Sequence, residues 1–294
     1  MDGGIDLVIK ELNRVSDDVA KEISELVEQC NNYDGIEGII ELDKSINFNQ
    51  EMNTIFMAYE GNKLVSVLSL FVPGREEAEV SAMTLPDYRL RGYFSELIKR
   101  AEEEIKRYDV PDLLFVCNGN SANGKAVIAK QKAIYEFTEY FLKYNHKFDP
   151  VIKDYSYRIK LHKAGLEDIE SIVKINMGAF HNSYEGAKSL ANAALKADNR
   201  EVFLANIEGE FVAKGVICFE NGGASINGLG VLPEHQGKGY GKEILYSIIQ
   251  RIMEYKIEDI CIEVESENDN AFQLYKNSGF EVQSAWEYYR KTIE

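Results

Sequence analysis

Sliding the second half of the chain back by 147 residues, so that 202 falls on 55, lays it over the first half without a gap. Val202-Phe203 then meets Ile55-Phe56, Leu232-Pro233-Glu234 meets Leu85-Pro86-Asp87, Gln236 meets Arg89, Gly239 meets Gly92, Tyr240 meets Tyr93 and Asp259 meets Asp112. A repeat this long is a whole domain, because solenoid units recur every ~20–50 residues. The 294 residues also suit about two domains. The chain is therefore read as two copies of one fold, at 1–150 and 156–294, joined near residues 146–156. Each copy opens on a helical stretch (19–30; 168–180). A hairpin of strands follows (54–59 and 64–71; 201–207 and 211–219), with turns at Gly61-Asn62 and Gly209-Glu210. A third strand leads into a turn and a long amphipathic helix, seen in the first copy as Phe94, Leu97, Ile98, Ala101 and Ile105 on one face. A further strand (112–117; 259–264), a helix and a last strand complete the copy. This order predicts a mixed, mostly antiparallel sheet flanked by helices, an α+β class. In the first copy the later helix is expected at 124–135, with Tyr135, Phe137, Tyr140, Phe141 and Tyr144 as packing surface.

The turn before the helix is better equipped in the second copy. Residues 231–241 read Val-Leu-Pro-Glu-His-Gln-Gly-Lys-Gly-Tyr-Gly, and Ile244, Leu245, Ile248, Ile249, Ile252 and Met253 follow at helical spacing. The first N–H groups of a helix lack internal partners, and glycines remove the Cβ atoms that would keep a ligand off them. The turn is thus an anion cradle, suited to a pyrophosphate. It is neither Gly-x-x-x-x-Gly-Lys-Ser/Thr nor Gly-x-Gly-x-x-Gly early in a βαβ unit. Lys238 either adds charge to the cradle or is a plain turn lysine.

Acidity excludes some partners. There are 33 basic and 49 acidic residues, a net charge of −16, and both halves are acidic. Such a chain is poorly suited to nucleic acid or anionic membranes. No apolar run approaches the ~18 residues of a membrane span, and the acidic start (Asp2, Asp6, Glu11) lacks the order of a signal peptide. The four cysteines and four histidines show no metal-ligand spacing, so no metal is implied. Reduced thiols and a cytoplasmic location are the expectation.

Gln236-x-x-Gly239-x-Gly241 resembles the acyl-CoA signature of the GNAT acetyltransferases. A second motif supports it: Ile262-Glu263-Val264 is followed by Asn268, Ala271, Leu274-Tyr275 and Gly279-Phe280, the pattern of enzymes that acetylate peptide N-terminal amines. The resemblance covers residues 156–294 well and 50–145 more loosely. It implies two tandem GNAT folds and an acetyl-CoA-dependent N-acetyltransferase that transfers directly to a primary amine. It assigns Glu263 as base, with Glu265 and Glu267 as competitors, and Tyr275 as acid, unless Tyr275 is core. Acetyl-CoA would lie on Leu229, Gly230 and Val231 of the strand, on Gln236, Gly237, Lys238, Gly239, Tyr240, Gly241 and Lys242 of the turn, and on Asn268, which otherwise only caps a helix. The chemistry fits: an alkyl ammonium (pKa ~10) must lose a proton before it attacks, and the thiolate leaving group benefits from a proton donor. Glu263, Glu265, Glu267 and Asp269 form either a solvated loop or an acidic lip that draws in a cationic amine.

In the first copy the offset replaces Glu263 by Val116, Asn268 by Ser121, Tyr275 by Ile128 and Gly241 by Phe94, while Arg89-x-x-Gly92 survives. Residues 1–150 are therefore expected to be a degenerate copy that braces the catalytic one. The expected acceptor is a small-molecule amine, as in tandem enzymes resembling mycothiol synthase. The alternatives are a peptide or protein N-terminal amine and, in another class, a non-catalytic acyl-CoA sensor. Neither the acceptor nor the oligomeric state is written in the sequence.

Overall fold

The computed structural model describes residues 7–42, 47–220 and 222–293. Asp2 and Asp6 of the acidic start lie outside them. In chain order the elements are β1 (Leu7–Leu12), α1 (Asp17–Asp34), β2 (Ile55–Glu60), β3 (Lys63–Phe71), β4 (Glu77–Thr84), α2 (Tyr93–Arg107), β5 (Asp112–Asn118), α3 (Ala122–Lys130) and β6 (Ile134–Tyr144). Then come α4 (Asp149–Lys153), β7 (Lys160–Lys163), α5 (Ile169–Phe180), α6 (Tyr184–Lys196), β8 (Arg200–Ile207), β9 (Glu210–Glu220), β10 (Gly223–Val231), α7 (Tyr240–Glu254), β11 (Ile260–Glu265), α8 (Asp269–Asn277) and β12 (Phe280–Thr292). The chain forms two compact units, one of residues 1–138 with 285–294 and the other of residues 139–284. The repeat alone set the junction near 146–156.

Within the first unit the strand order is β1-β2-β3-β4-β5-β12-β6; β1/β2, β2/β3, β3/β4 and β5/β12 pair antiparallel and β4/β5 parallel. Helix α1 starts at Ser16, whose Oγ accepts from Val19 N at 3.4 Å, and stops at Gly35 in the left-handed region. It buries Ile23, Leu26 and Cys30 against Ile55, Met57 and Val67 on one face of the sheet. On the other face α2 and α3 bury Leu97, Ala101, Ile105 and Ile128 against Phe56, Leu68, Leu113 and Phe115. The strand beside β5 comes from the far end of the sequence: Trp286 to Thr292 pair with Asn118 to Asp112. Arg290 fixes it there through Glu77, Asp112 (2.9 Å) and Glu136, and Phe137 stacks on Tyr288 at 4.4 Å.

Within the second unit the order is β12-β6-β11-β10-β9-β8-β7, and β10/β11 is the parallel pair. Helix α7 buries Ile244, Leu245, Ile248, Ile249 and Ile252 on one face, with Ile260, Ile262 and Val264 of β11 beneath it. Each such side chain contributes roughly 1.5–3 kcal/mol. Helices α5 and α6 cover the other face with Ile172, Ile175, Ala187 and Ala191 against Val202, Leu204 and Val216.

The helix expected at 124–135 ends instead at Lys130. Lys132 takes φ +59°, and the aromatic run that follows is strand β6. Phe137, Tyr140, Phe141 and Tyr144 fall at i, i+3, i+4 and i+7, so this strand carries helical spacing over a short window. All four cysteines are free, and Cys30, Cys117 and Cys218 are buried. Among the described residues no helix is long and apolar enough to cross a membrane.

Candidate active site

In the second unit β10 and β11 pair only from Ala224/Ile260 to Ile226/Ile262. Beyond that point β11 stays with β6, where Glu263 faces Phe141, and β10 stays with β9. The strands part at Asn227 and Glu263, leaving a fork in the sheet. A bulge sits in the β10 arm: the register jumps from Asn227↔Val216 to Gly230↔Lys214, so Gly228 and Leu229 face the single residue Gly215. A bulge leaves backbone groups outside the ladder. Glycine permits it, because Gly228 adopts φ +53° and a Cβ on Gly215 would meet Ile248 Cδ1 at 2.4 Å. Gly230 is covered by Phe180, 2.7 Å from where its Cβ would be, and Leu229 packs against the α7-side core.

The glycine turn follows directly. Gln236 Nε2 donates to Val231 O at 3.0 Å, tying the turn to the strand end. Gly237 (φ +72°) and Gly239 (φ +86°) sit in the left-handed region, and Gly239 is the N-cap of α7. Lys242 N already bonds Gly239 O at 3.1 Å. The N–H groups of Gly237, Lys238, Gly239, Tyr240 and Gly241 have no partner among the described residues. Five unpaired donors at the start of a fifteen-residue helix suit a diphosphate. Open space surrounds the position of a Gly237 Cβ. Gly241 lies where a Cβ would be 3.5 Å from Leu274 and 3.6 Å from Val231, so α8 and the end of β10 meet at the turn.

Sequence reasoning missed the group that braces this turn. Arg158 donates through Nη2 to Lys238 O at 2.6 Å and through Nε to Glu243 Oε1 at 2.6 Å. Its guanidinium covers the Tyr240 ring at 4.8 Å. The Glu243 side chain is 1% exposed and also accepts from the backbone N–H groups of Arg158 (2.8 Å) and Ile159 (3.2 Å). Arg158 falls on Glu11 under the offset, so the repeat gave no signal for it. Lys242 reaches the rings of Tyr155 and Tyr246, while Lys238 is exposed.

Glu263 lies on β11 between Ile262 and Val264, which face the α7 core, so its carboxylate projects to the α5/α6 face at the mouth of the fork. By surface area it is exposed, yet desolvation raises its pKa above the ordinary carboxylate value. Both hold for a side chain in an open notch with protein walls. Glu265, Glu267 and Asp269 are exposed beyond it. Tyr275, on α8, is 5% exposed and packs 6.1 Å from the Phe280 ring. Burial pushes its hydroxyl up to about 12. That hydroxyl has no hydrogen-bond partner among the described residues and is not one of the sealed, unpartnered polar atoms. Asn268 Oδ1 caps α8 by accepting from Ala271 N at 3.1 Å, which leaves its Nδ2 as a donor. No cluster of three or more His, Cys, Asp or Glu suited to a metal occurs among the described residues.

The first unit builds the same turn with other contents. Gly92 (φ +91°) is the N-cap of α2, and Arg89 Nε bonds Thr84 O at 3.0 Å, as Gln236 bonds Val231 O. Asp34 holds the rest of the Arg89 guanidinium in a bidentate pair at 2.8 and 2.6 Å. Leu90 is forced to φ +61° and is 93% exposed where the second unit has Gly237. Strands β3 and β4 pair without interruption from Ser66/Thr84 to Phe71/Glu79, so the bulge is absent there.

Comparison with known proteins agrees with this duplication. The family model described as the acetyltransferase (GNAT) family matches residues 20–127 and 167–280. An N-alpha-acetyltransferase of Sulfurisphaera tokodaii is 29% identical over 157 residues, covering 49% of this chain and 92% of its own. Among solved structures, a GCN5-related N-acetyltransferase from Sphaerobacter thermophilus superposes with a TM-score of 0.76 at 14% identity, covering 98% of this chain and 96% of its own. A tandem GNAT protein from the clavulanic acid biosynthesis pathway gives 0.72 at 14% identity, covering 98% and 99%.

Proposed function

The chain belongs to the GNAT acetyltransferase family, and from that premise we propose that its second unit moves the acetyl group of acetyl-CoA to a primary amine. The observation that carries this is the asymmetry of the two copies. Both units part their parallel strands and leave turn N–H groups free, but the bulge, Glu263 and Tyr275 occur together only in residues 139–284. The first unit keeps the turn but not the bulge or either side chain. An acyl-CoA sensor would have no use for that difference.

In this reading the N–H groups of 237–241 hold the diphosphate of the co-substrate, with Arg158 keeping the turn in shape. The fork admits the thioester arm, which supplies an activated acyl carbonyl, and the bulge offers backbone N–H to its oxygen. Glu263 takes the proton of the incoming ammonium, and its raised pKa brings it nearer to that task. The amine nitrogen bonds the carbonyl carbon, the C–S bond breaks with its electron pair on sulfur, and the nitrogen gives up its second proton to water as the amide forms. Tyr275, titrating near about 12, keeps its proton and donates a hydrogen bond to the departing thiolate. The thiolate, whose thiol titrates near ~8.5, takes a proton from water once released and leaves as the free thiol.

We place a small-molecule amine first as acceptor, as suits a tandem chain. The N-alpha-acetyltransferase relative favours a second reading, a peptide N-terminal amine. The test is release of free thiol from acetyl-CoA by the full-length chain with amines, aminoglycosides and short peptides. Full length matters because a fragment ending at 150 lacks the residues 286–292 that pair with β5. Absence of acceptor-dependent thiol release, alongside tight acetyl-CoA binding, would favour the sensor and refute the transfer.

A further inference from the structure

One buried cation in the second unit has no role in this scheme. Lys214, on β9, is 6% exposed and has neither a carboxylate nor a hydrogen-bond partner among the described residues. Its Nζ lies 5.3 Å from the centre of the Phe180 ring and 3.0 Å from where a Gly228 Cβ would be. It therefore stands at the bulge. Asn227 and Gly228 are exposed there, and Nζ is not among the sealed unpartnered atoms, so the notch above it is open.

An ammonium taken out of water without a partner is costly, whereas methionine would fill the same space at no such cost. Here desolvation alone lowers the amine to about 8. A charge kept at such a site is one waiting for a ligand. Lys214 meets Phe180 of α5, so it lies on the α5/α6 face, the face to which Glu263 also projects. The opposite face is filled by α7. An acceptor thus arrives on the side where both groups stand. Desolvation is the only influence on either group, so they do not form an ion pair with each other. Opposite charges on one face suit a molecule with one positive and one negative end. A lone ammonium beside an aromatic ring suits a singly charged carboxylate, since a phosphate calls for more donors. Met177, Phe180 and Tyr184, each about 40% exposed, give this side an apolar wall.

We propose that Lys214 binds a carboxylate of the acceptor, so that the substrate is an amine that also carries a carboxylate. This deepens the acetyl-transfer reading and rests on it. The carboxylate belongs either to a free amino-acid-like compound or to an acidic residue beside a peptide N-terminus.

Calorimetric titration of the full-length protein saturated with coenzyme A separates the two sources. One arm compares leucine and phenylalanine with their amides. The other compares C-terminally amidated peptides beginning Ser-Glu and Ser-Gln. The expected result is that the carboxylate member of one arm binds at least about tenfold tighter, that Lys214→Met abolishes the preference, and that Lys214→Arg retains part of it. Coenzyme A affinity should be unchanged in both variants, and melting of Lys214→Met should not fall. Equal binding within all three pairs, no binding in either arm, or a preference surviving Lys214→Met would overturn the proposal. Thiol release from acetyl-CoA with the same probes tells the two readings apart. Discrimination without thiol release sinks acetyl transfer alone, and thiol release without discrimination sinks the Lys214 assignment alone.

Discussion

Replacing Lys214 by methionine should make the protein more stable, by an amount that depends on pH. The folded chain releases the Lys214 proton near about 8, against an ordinary value of 10.5, because burial disfavours the ammonium. Below about 8 the amine is charged in both states, and the folded state bears the whole penalty. That gap corresponds to roughly 3 kcal/mol, at ~1.4 kcal/mol for each tenfold change. Between about 8 and 10.5 the unfolded chain binds more protons than the folded one, so wild-type stability gains with rising pH. Methionine has no such dependence. Lys214→Met should therefore exceed wild type by up to about 3 kcal/mol at pH 7, and the advantage should shrink through pH 9 and vanish near pH 10.5. Urea denaturation followed by circular dichroism at pH 7, 8, 9 and 10 measures the gap directly. The sole tryptophan, Trp286, sits in the other unit and would not report it. A methionine variant less stable at pH 7, or an advantage constant from pH 7 to 10, would refute the reasoning, because either result requires an ammonium that keeps its ordinary proton affinity in the fold.

Other outcomes follow from the same site. Tyr275→Phe should lower kcat by about tenfold to a hundredfold, the worth of one hydrogen bond to a charged group, with the KM for acetyl-CoA nearly unmoved; unchanged turnover removes Tyr275 from the mechanism. Glu263→Gln should abolish the acid limb of the pH–rate profile. In wild type that limb falls as pH drops through the raised Glu263 value, since the base must be ionised. If Glu265→Gln erased the limb instead, the base would be reassigned. Gly239→Ala places a methyl in the left-handed region, a strain of about 1–2 kcal/mol, and 3.2 Å from Arg158 Nη2; equilibrium dialysis should show weaker coenzyme A binding. Arg158→Met frees the Lys238 carbonyl and should raise the coenzyme A Kd roughly tenfold, while Arg89→Met in the first unit should leave it unaltered.

Local rules account for much of what the sequence determined. The repeat gave two copies because a strand's alternation, a helix's apolar face and a proline-led turn all recur at one offset, and each depends on neighbours in the chain. The glycine turn was legible for the same reason: φ above zero and a free helix start are local demands, met at Gly237 and Gly239. What the tertiary structure decided was every question of partner. Trp286, Tyr288 and Tyr289 suit a strand, yet nothing in them names β5 as the neighbour; Arg290, gathered by Glu77, Asp112 and Glu136 from three distant segments, makes that choice. Arg158 and Glu243 meet across 85 residues of chain. Nothing local to Lys214, between Ala213 and Gly215, marks its burial. Only the fork beside it and the Phe180 ring show that its side chain is buried with the ammonium at an open notch, since burial belongs to the folded surroundings and not to the side chain.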